Sequence, residues 1–420
     1  MERFTCAHGK SLACAPSKLN METADVVTVF LRDPKSGEVL LLRRSDETGS
    51  YRGDWGAVSG YVEEETDETE EDARREIREE TGISDATLIR SGEPFVVEDE
   101  ELGRVWRVHP FLFNMPTCEI ETNYETVRAD WCSPTEILSR EVVPRLWESY
   151  TAVAPSVETV ANDEQNGSAY IAGRALEVLR DTAATGTVED ARAVARRLVE
   201  ARPSMSVVGN RVARAAVGET AEKIESAAHT GITEACRADE RAASNAAERI
   251  DGCEKVVTLS RSGIVANALE EASLGEAVVA ESLPGGEGVG FAEELDLQTR
   301  VVPDSCVADE VENADAVLVG ADAVLPDGTV VNKIGSLAAA LAARHFDVPF
   351  LVVTSADKIA PADEDEYENE YVEAHGSCVP IFERFPSELV ETITEEGTLS
   401  DDNVRDRAEG HASLRSRLYG

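Results

Sequence analysis

One string of residues, Arg75-Glu76-Ile77-Arg78-Glu79-Glu80-Thr81-Gly82-Ile83, constrains this chain more than any other feature. Glu76, Glu79 and Glu80 stand at i, i+3 and i+4, positions that share one face of an α-helix. The run from Asp67 to Thr81 is helical in composition, and Gly82 stands where a glycine closes such a helix. Three carboxylates crowded on one face repel one another unless a cation neutralises them, and a hard divalent ion takes oxygen ligands of this kind. Arg75 can orient a neighbouring glutamate through a bidentate pair. In an acidic chain a Glu-rich helix is otherwise a solvated face, and the stretch from Glu63 to Asp72 alone says no more than that.

The surroundings of this helix read as β-structure. Ala24 to Arg32 and Glu38 to Arg44 predict two strands joined by a turn at Asp33-Pro34-Lys35-Ser36-Gly37, with a basic pair, Arg43-Arg44, ending the second. Tyr51 to Val62 is a Gly-interrupted extended stretch, and Pro94 to Glu98 and Val105 to Asn114 are further strands. Ser133-Pro134-Thr135-Glu136 predicts a helix start, with Ser133 as N-cap and Glu136 in a capping-box position. The polar segment 154–168 is expected to be a linker. Residues 169–250 are Ala-, Arg- and Glu-rich with helical spacing. From Lys255 onward short apolar strands alternate with helices, which argues for a parallel, doubly wound sheet. The expected plan is a disordered tail over 1–20, a first domain over 21–153, the linker, a helical subdomain over 169–250 and a Rossmann-like subdomain over 251–420. Two or three domains suit 420 residues.

The charge balance is extreme, with 82 Asp and Glu against 40 Lys and Arg, a formal net charge of −42. The acidic residues are interleaved with apolar periodicity, so folded domains with an acidic surface are expected rather than disorder. At molar salt the Debye length falls to about 3 Å and such self-repulsion is screened, which points to a halophilic source. A negative surface argues against direct nucleic-acid binding, which needs a basic footprint. No apolar run approaches the ~18 residues that would span a bilayer, and no secretory leader is evident; a cytoplasmic protein is expected. The eight cysteines form no CxxC pair. Cys6, His8 and Cys14 leave open a metal site in the tail, or an over-called start with Met21 as initiator. Cys253, Cys306 and the His375-Gly376-Ser377-Cys378 run read as core or loop thiols.

Gly60 to Ile83 resembles the Nudix hydrolase signature: a Gly, an isolated Glu, then Arg-Glu-apolar-x-Glu-Glu-x-Gly-apolar. The second half matches without a gap. The first half carries one residue more than the family pattern, so the isolated Glu falls on Thr66 or Asp67, with Glu65 and Glu68 as the nearest glutamates. The resemblance implies an α/β/α sandwich with a mixed sheet and a Mg²⁺-dependent (or Mn²⁺-dependent) pyrophosphohydrolase. Glu76, Glu79 and Glu80 would be the metal ligands, Gly60 would lend its carbonyl, and a further Glu from a later loop, here Glu125, would join them.

In the second half, Thr258-Leu259-Ser260-Arg261-Ser262, Ala280-Glu281-Ser282-Leu283-Pro284 with Gly288, and Val319-Gly320-Ala321-Asp322-Ala323-Val324 followed by Asn332-Lys333-Ile334-Gly335-Ser336 resemble a second family. Arg202-Pro203-Ser204-Met205 with Asn210 also fits. It comprises the translation initiation factor 2B α/β/δ subunits and sugar-phosphate isomerases acting on ribose-1,5-bisphosphate or methylthioribose-1-phosphate, and the likeness covers roughly residues 165–400. It implies a homodimer and a nucleotide or sugar-phosphate ligand held by Ser260, Arg261, Ser262, Asp322, Asn332 and Lys333. Gly335-Ser336 opens a helix whose amides suit a phosphate. The isomerases pair the Asp with a Cys; Ser260 stands at that Cys position and Leu283 at an expected Arg, which weighs against isomerisation.

The expected function is hydrolysis of a nucleoside diphosphate linked to another moiety, of ADP-ribose or dinucleotide type, with the second half as a ligand-binding domain. The alternatives are a non-enzymatic initiation-factor-like binding protein and a bifunctional hydrolase–isomerase.

Overall fold

The computed structural model describes residues 21–63, 69–362, 371–374 and 377–420. Two compact units emerge, one formed by the described residues up to Asp33 with Glu38–Ala154, the other by Pro34–Gly37 with Pro155–Gly420.

In the first unit, β1 (Glu22–Arg32), β2 (Val39–Arg44), β3 (Trp55–Gly56), β4 (Val58–Tyr61), β5 (Thr87–Ser91), β6 (Phe95–Asp99), β7 (Arg104–Asn114) and β8 (Thr126–Cys132) form one mixed sheet. β1 is central: it runs parallel to β7 from Glu22↔Arg104 to Arg32↔Asn114 and antiparallel to β4, where Val27 meets Gly60. Alternation along β1 sends Val27, Val29 and Leu31 to one face, where they pack on Ala73 and Ile77 of helix α1 (Thr69–Thr81). Phe30 points to the other face, towards Leu146 and Tyr150 of α2 (Leu146–Thr151). Both faces of the sheet are thereby covered, giving the α/β/α sandwich. Gly82, at φ +74°, ends α1, its amide donating to the Arg78 carbonyl at 2.9 Å.

Two local expectations fail here. Pro134–Leu138 is a 3-10 turn, and Ser133 makes no side-chain cap. The Glu136 carboxylate is drawn instead to Arg140, whose Nε lies 3.0 Å away, and the Ser133 hydroxyl lies 2.9 Å from that of Thr135. The segment expected as linker holds a short helix, α3 (Val157–Ala161), closed by a reciprocal capping box between Ser156 and Thr159.

The second unit begins with four helices, α4 (Ser168–Thr185), α5 (Val188–Ala201), α6 (Ser206–Ala216) and α7 (Ala221–Ile250). Ile171, Ala175, Leu198, Val208, Val212 and Ile224 make their common core. The helix Asp401–Tyr419 returns to this bundle rather than staying with the sheet: Leu418 joins the same core, and its carbonyl accepts from Arg196 Nη1 at 3.1 Å. A plan in which 251–420 is one subdomain therefore does not hold for the last helix.

Between them lies a seven-stranded sheet. It includes β9 (Lys255–Thr258), β10 (Glu276–Ala280), β11 (Thr299–Val302) and β12 (Ala316–Val319), in the order β11-β10-β9-β12 followed by Phe350–Val353, Glu391–Thr394 and Gly397–Thr398. All neighbours are parallel except the final hairpin. Helices cover both faces: Val256 packs with α7 and α8 (Gly263–Glu271), while Val257 packs with the helix Ser336–Phe346. The strand order reverses between β9 and β12, the switch point where a doubly wound sheet opens a crevice. Among the described residues no helix is long and apolar enough to cross a membrane.

Candidate active site

The first unit carries a cavity of about 660 Å³ lined by Gly60, Arg75, Glu76, Glu79, Glu80 and Glu125 together. The helix α1 and strand β4 set its geometry. Gly60 lies so close to α1 that a Cβ there would stand 2.0 Å from both Cδ and Oε1 of Glu76. Ser59, one residue earlier, donates its amide to Glu80 Oε1 at 3.0 Å. Glu125 immediately precedes β8, its amide held by Asn123 Oδ1 at 2.9 Å.

Arg75 does not form the bidentate pair expected of it. Its guanidinium divides among four close partners: Nη1 reaches Asp72 Oδ1 at 2.5 Å and Glu63 Oε1 at 3.1 Å, and Nη2 reaches Glu76 Oε1 at 3.0 Å and the Tyr61 carbonyl at 2.9 Å. Asp72 is fully buried. Arg75 is thus a strut between α1 and β4 that also fixes one Glu76 oxygen. Glu79 is the most exposed of the three, at 60%, and lies 3.9 Å from Arg75 Nε.

The electrostatics are those of a crowded carboxylate cluster that Arg75 and Arg44 only partly offset. Burial pushes the Glu80 carboxyl up to about 8; repulsion from Glu76 and Glu125 adds to this, while the Ser59 amide and Arg44 oppose it. Burial also raises Glu76, with Arg75 opposing and Glu79 and Glu125 reinforcing. A divalent cation reverses this logic by stabilising the ionised forms. The donor set is all oxygen, which fits Mg²⁺ or Mn²⁺. Among the described residues no three ligating side chains are already gathered as a closed cage. The segment holding Glu65, Thr66, Asp67 and Glu68 lies outside the described residues, as do Cys6, His8, Cys14 and His375. Cys253 and Cys306 are half-buried thiols and Cys378 an exposed one.

The sequence reading missed several lining groups. Arg44 donates to the Ser59 hydroxyl at 3.1 Å and acts on Glu80; its signal was a basic pair in an acidic chain. Tyr51, Tyr61, Trp106 and Tyr124 also line the cavity and carried no motif.

In the second unit, Ser260 to Ser262 follow β9 and Asp322 follows β12, on the two sides of the switch point. Ser260 adopts φ +65° and donates its amide to Ser282 Oγ at 2.7 Å and its hydroxyl to Glu287 Oε1 at 2.9 Å. The same Glu287 oxygen lies 2.7 Å from Lys333 Nζ. Ser260 and Lys333 therefore converge on one carboxylate. The other expected contacts do not all join them. Arg261 turns to Glu294 at 3.5 Å, Ser262 caps α8, and Asn332 donates to Ser336 Oγ at 3.0 Å. The helix start expected to cradle a phosphate is occupied by Glu383, whose Oε1 accepts from the Gly335 and Leu337 amides at 2.6 and 2.9 Å. Lys358, whose amine burial pushes below the ordinary lysine range, faces Asp322 and donates to the Ala321 carbonyl at 2.7 Å.

Residues 22–153 match the NUDIX domain model, and residues 164–400 match the model of the Initiation factor 2 subunit family. The second match covers more than half of the chain. This chain belongs to the initiation factor 2 subunit family. Within it, this member is 32% identical over 234 residues to the ribose 1,5-bisphosphate isomerase of Haloferax volcanii, covering 50% of this chain and 72% of that one. It is 30% identical over 206 residues to a translation initiation factor eIF-2B subunit 2-like protein of Pyrococcus abyssi, covering 46% and 75%. The solved eIF-2B from Pyrococcus horikoshii OT3 superposes with a TM-score of 0.53 at 24% identity over 58% of this chain and 94% of that one, a likeness of fold. The family member described here thus adds a NUDIX domain to an eIF-2B-like Rossmann-type unit.

Proposed function

We propose that the first unit is a Mg²⁺- or Mn²⁺-dependent hydrolase that cleaves the diphosphate of a nucleoside diphosphate linked to another moiety, of ADP-ribose or dinucleotide type. The observation that supports it is the convergence of Glu76, Glu80 and Glu125, mutually repelling, in one cavity with Gly60 and Arg75. When bound, the divalent ion polarises a phosphoryl oxygen and acidifies a water. Glu76, Glu80, Glu125 and the Gly60 carbonyl would hold it. Arg75 keeps Glu76 oriented, and Glu79, the most exposed of the three, would take the proton of the attacking water. Addition of water across the diphosphate of ADP-ribose yields AMP and ribose 5-phosphate, so each half of the substrate leaves as a monophosphate.

The second unit is proposed to bind a nucleotide or sugar phosphate in the crevice between β9 and β12, and to form the homodimer. A sugar phosphate released by the first unit would suit that crevice. Isomerase activity, against which Ser260 and Leu283 weigh, regains support from the relatives named ribose 1,5-bisphosphate isomerase, which are 32%, 31% and 27% identical. A bifunctional hydrolase–isomerase is therefore the second reading. A cytoplasmic setting in a high-salt cell is proposed with it.

The test is hydrolysis by the full chain in multimolar KCl with Mg²⁺, offering ADP-ribose, NADH, dinucleoside polyphosphates and nucleoside triphosphates, beside Glu79→Gln and Glu80→Gln. Turnover lost in both variants supports the hydrolase and names its substrate. No turnover by folded protein on any member of the panel overturns it. Adding ribose 1,5-bisphosphate, with Asp322→Asn as control, tests the second reading.

A further inference from the structure

Aromatic residues are only 5% of this chain, with 8 Tyr and 4 Trp in 420 residues. Three of those tyrosines and one tryptophan, Tyr51, Tyr61, Tyr124 and Trp106, line the cavity that holds the carboxylates. They come from different segments: Tyr61 of β4 and Trp106 of β7 are brought together by the pairing of both strands with β1, and Tyr51 and Tyr124 come from loops.

Their arrangement is organised. Trp106 is buried beside Val97 and Val108, and its indole N–H donates to the Tyr51 hydroxyl at 3.0 Å. Tyr51 in turn donates to Asp99 Oδ2 at 2.6 Å. Tyr61 lies 6.0 Å from Trp106 between ring centroids, tilted by 48°. Its hydroxyl accepts from Arg104 Nη1 at 2.7 Å, and the Arg104 guanidinium stands 5.3 Å over the Trp106 ring. Both ends of Tyr61 are thus fixed: its carbonyl is held by Arg75, the strut beside Glu76, and its hydroxyl by Arg104. Tyr61 as a residue nonetheless remains 53% exposed. A rigid aromatic face kept open to a cavity is a stacking platform, and stacking on such a face accepts any planar base.

We propose that Tyr61, backed by Trp106 and tethered by Arg104, is the surface on which the nucleobase of the substrate stacks. This rests on the hydrolase reading for the position of the diphosphate. Tyr61 and the carboxylates of Glu76 and Glu80 line one cavity, so a base stacked on Tyr61 directs the adjoining phosphates along that cavity towards the carboxylates. The slot selects nucleotide diphosphates over diphosphates that lack a base. Tyr61 is a specificity residue, not a catalytic one.

The experiment is equilibrium binding of AMP, GMP, CMP and UMP, with ribose 5-phosphate as the base-free probe, to the full chain carrying Lys333→Ala to silence the second unit's crevice, with Tyr61 as in wild type or changed in Tyr61→Phe, Tyr61→Leu and Tyr61→Ala. Wild type and Tyr61→Phe should bind at least one mononucleotide alike. Tyr61→Ala and Tyr61→Leu should weaken it by about 10-fold or more, with ribose 5-phosphate unaffected. Undiminished mononucleotide binding by Tyr61→Ala and Tyr61→Leu, or none by wild type, overturns the proposal. Binding does not depend on turnover. Intact binding at Tyr61 without hydrolysis would sink the hydrolase and spare the slot; hydrolysis whose KM ignores Tyr61 would do the reverse.

Discussion

Glu76 lays its carboxylate against the α-carbon of Gly60, in the space where any other residue would carry a side chain; a Cβ there would sit 2.0 Å from Oε1. The glycine at this position is thus explained by contact with the acidic helix rather than by a left-handed backbone. Gly60→Ala should displace Glu76 and lower kcat by ~100-fold, the scale of a 1 Å misplacement. Gly60 belongs to β4, whose pairing with β1 needs only backbone, so the melting temperature should change little. Steady-state kinetics beside a thermal melt check both halves; unchanged kcat would count against the role given to Glu76.

Glu80 makes the stability of the ion-free protein depend on pH in an identifiable direction. Its folded-state carboxyl titrates at about 8 against an ordinary 4.5. Between those values the folded state holds a proton that the unfolded chain has released, so stability falls as pH rises through the window. In EDTA, wild type should lose melting temperature relative to Glu80→Gln between these pH values, and Mg²⁺ should abolish the loss. Parallel curves for the two proteins would refute the assignment.

Glu287 is predicted to restrain anion binding in the second unit, because it occupies both Lys333 and Ser260. Glu287→Gln should tighten ribose 5-phosphate binding by about 10-fold, close to 1.4 kcal/mol. Calorimetry with wild type and variant decides; weaker binding in the variant would mean that Glu287 is itself a ligand contact.

Asp357 anchors the bundle to the sheet within the second unit. Arg211 Nε reaches it at 3.0 Å, Arg214 pairs with it as well, and Asn210 donates to its carbonyl at 2.9 Å. Against the cost of burial, Arg211 and Arg214 hold its carboxyl far below the usual range. Asp357→Ala leaves Arg211 buried without this partner and should cost about 3–5 kcal/mol. Urea titration should show the second unit's transition shifted and the first unit's unchanged.

A net charge of −42 demands screening. The melting temperature should rise by roughly 10 °C or more between about 0.1 M and about 3 M KCl. A melt that ignores salt would argue against a high-salt origin.

What could be read in advance follows from how local the physics is. The spacing of Glu76, Glu79 and Glu80, the stop at Gly82 and the β-branched, apolar run of β1 are local patterns, and helix, cap and strand lie where they indicate. The aromatic wall is not local: Tyr61 and Trp106 meet only through sheet pairing, and Tyr51 joins them from a loop. Glu287 and Glu383 were hidden by number, since among 82 acidic residues nothing marks the two that fold onto Lys333 and onto the helix start at Gly335. Ser133 shows a local rule losing to a neighbour, because Arg140 captures the glutamate that a capping box needs.

The return of the helix Asp401–Tyr419 to the bundle has a consequence for biosynthesis. Arg196 and Leu418, 222 residues apart, are bonded partners, and Leu418 fills a core begun by α4 to α7. A ribosome making this chain releases the first unit's last strand long before that plug exists. The NUDIX domain has every segment of its own sheet and can fold as it emerges, domain by domain. The bundle must wait, its apolar seam open, until the final turns of helix leave the tunnel. The interval of greatest risk of aggregation thus runs from the emergence of α4 to that of the helix Asp401–Tyr419, and chaperone demand should concentrate on the unfinished second unit.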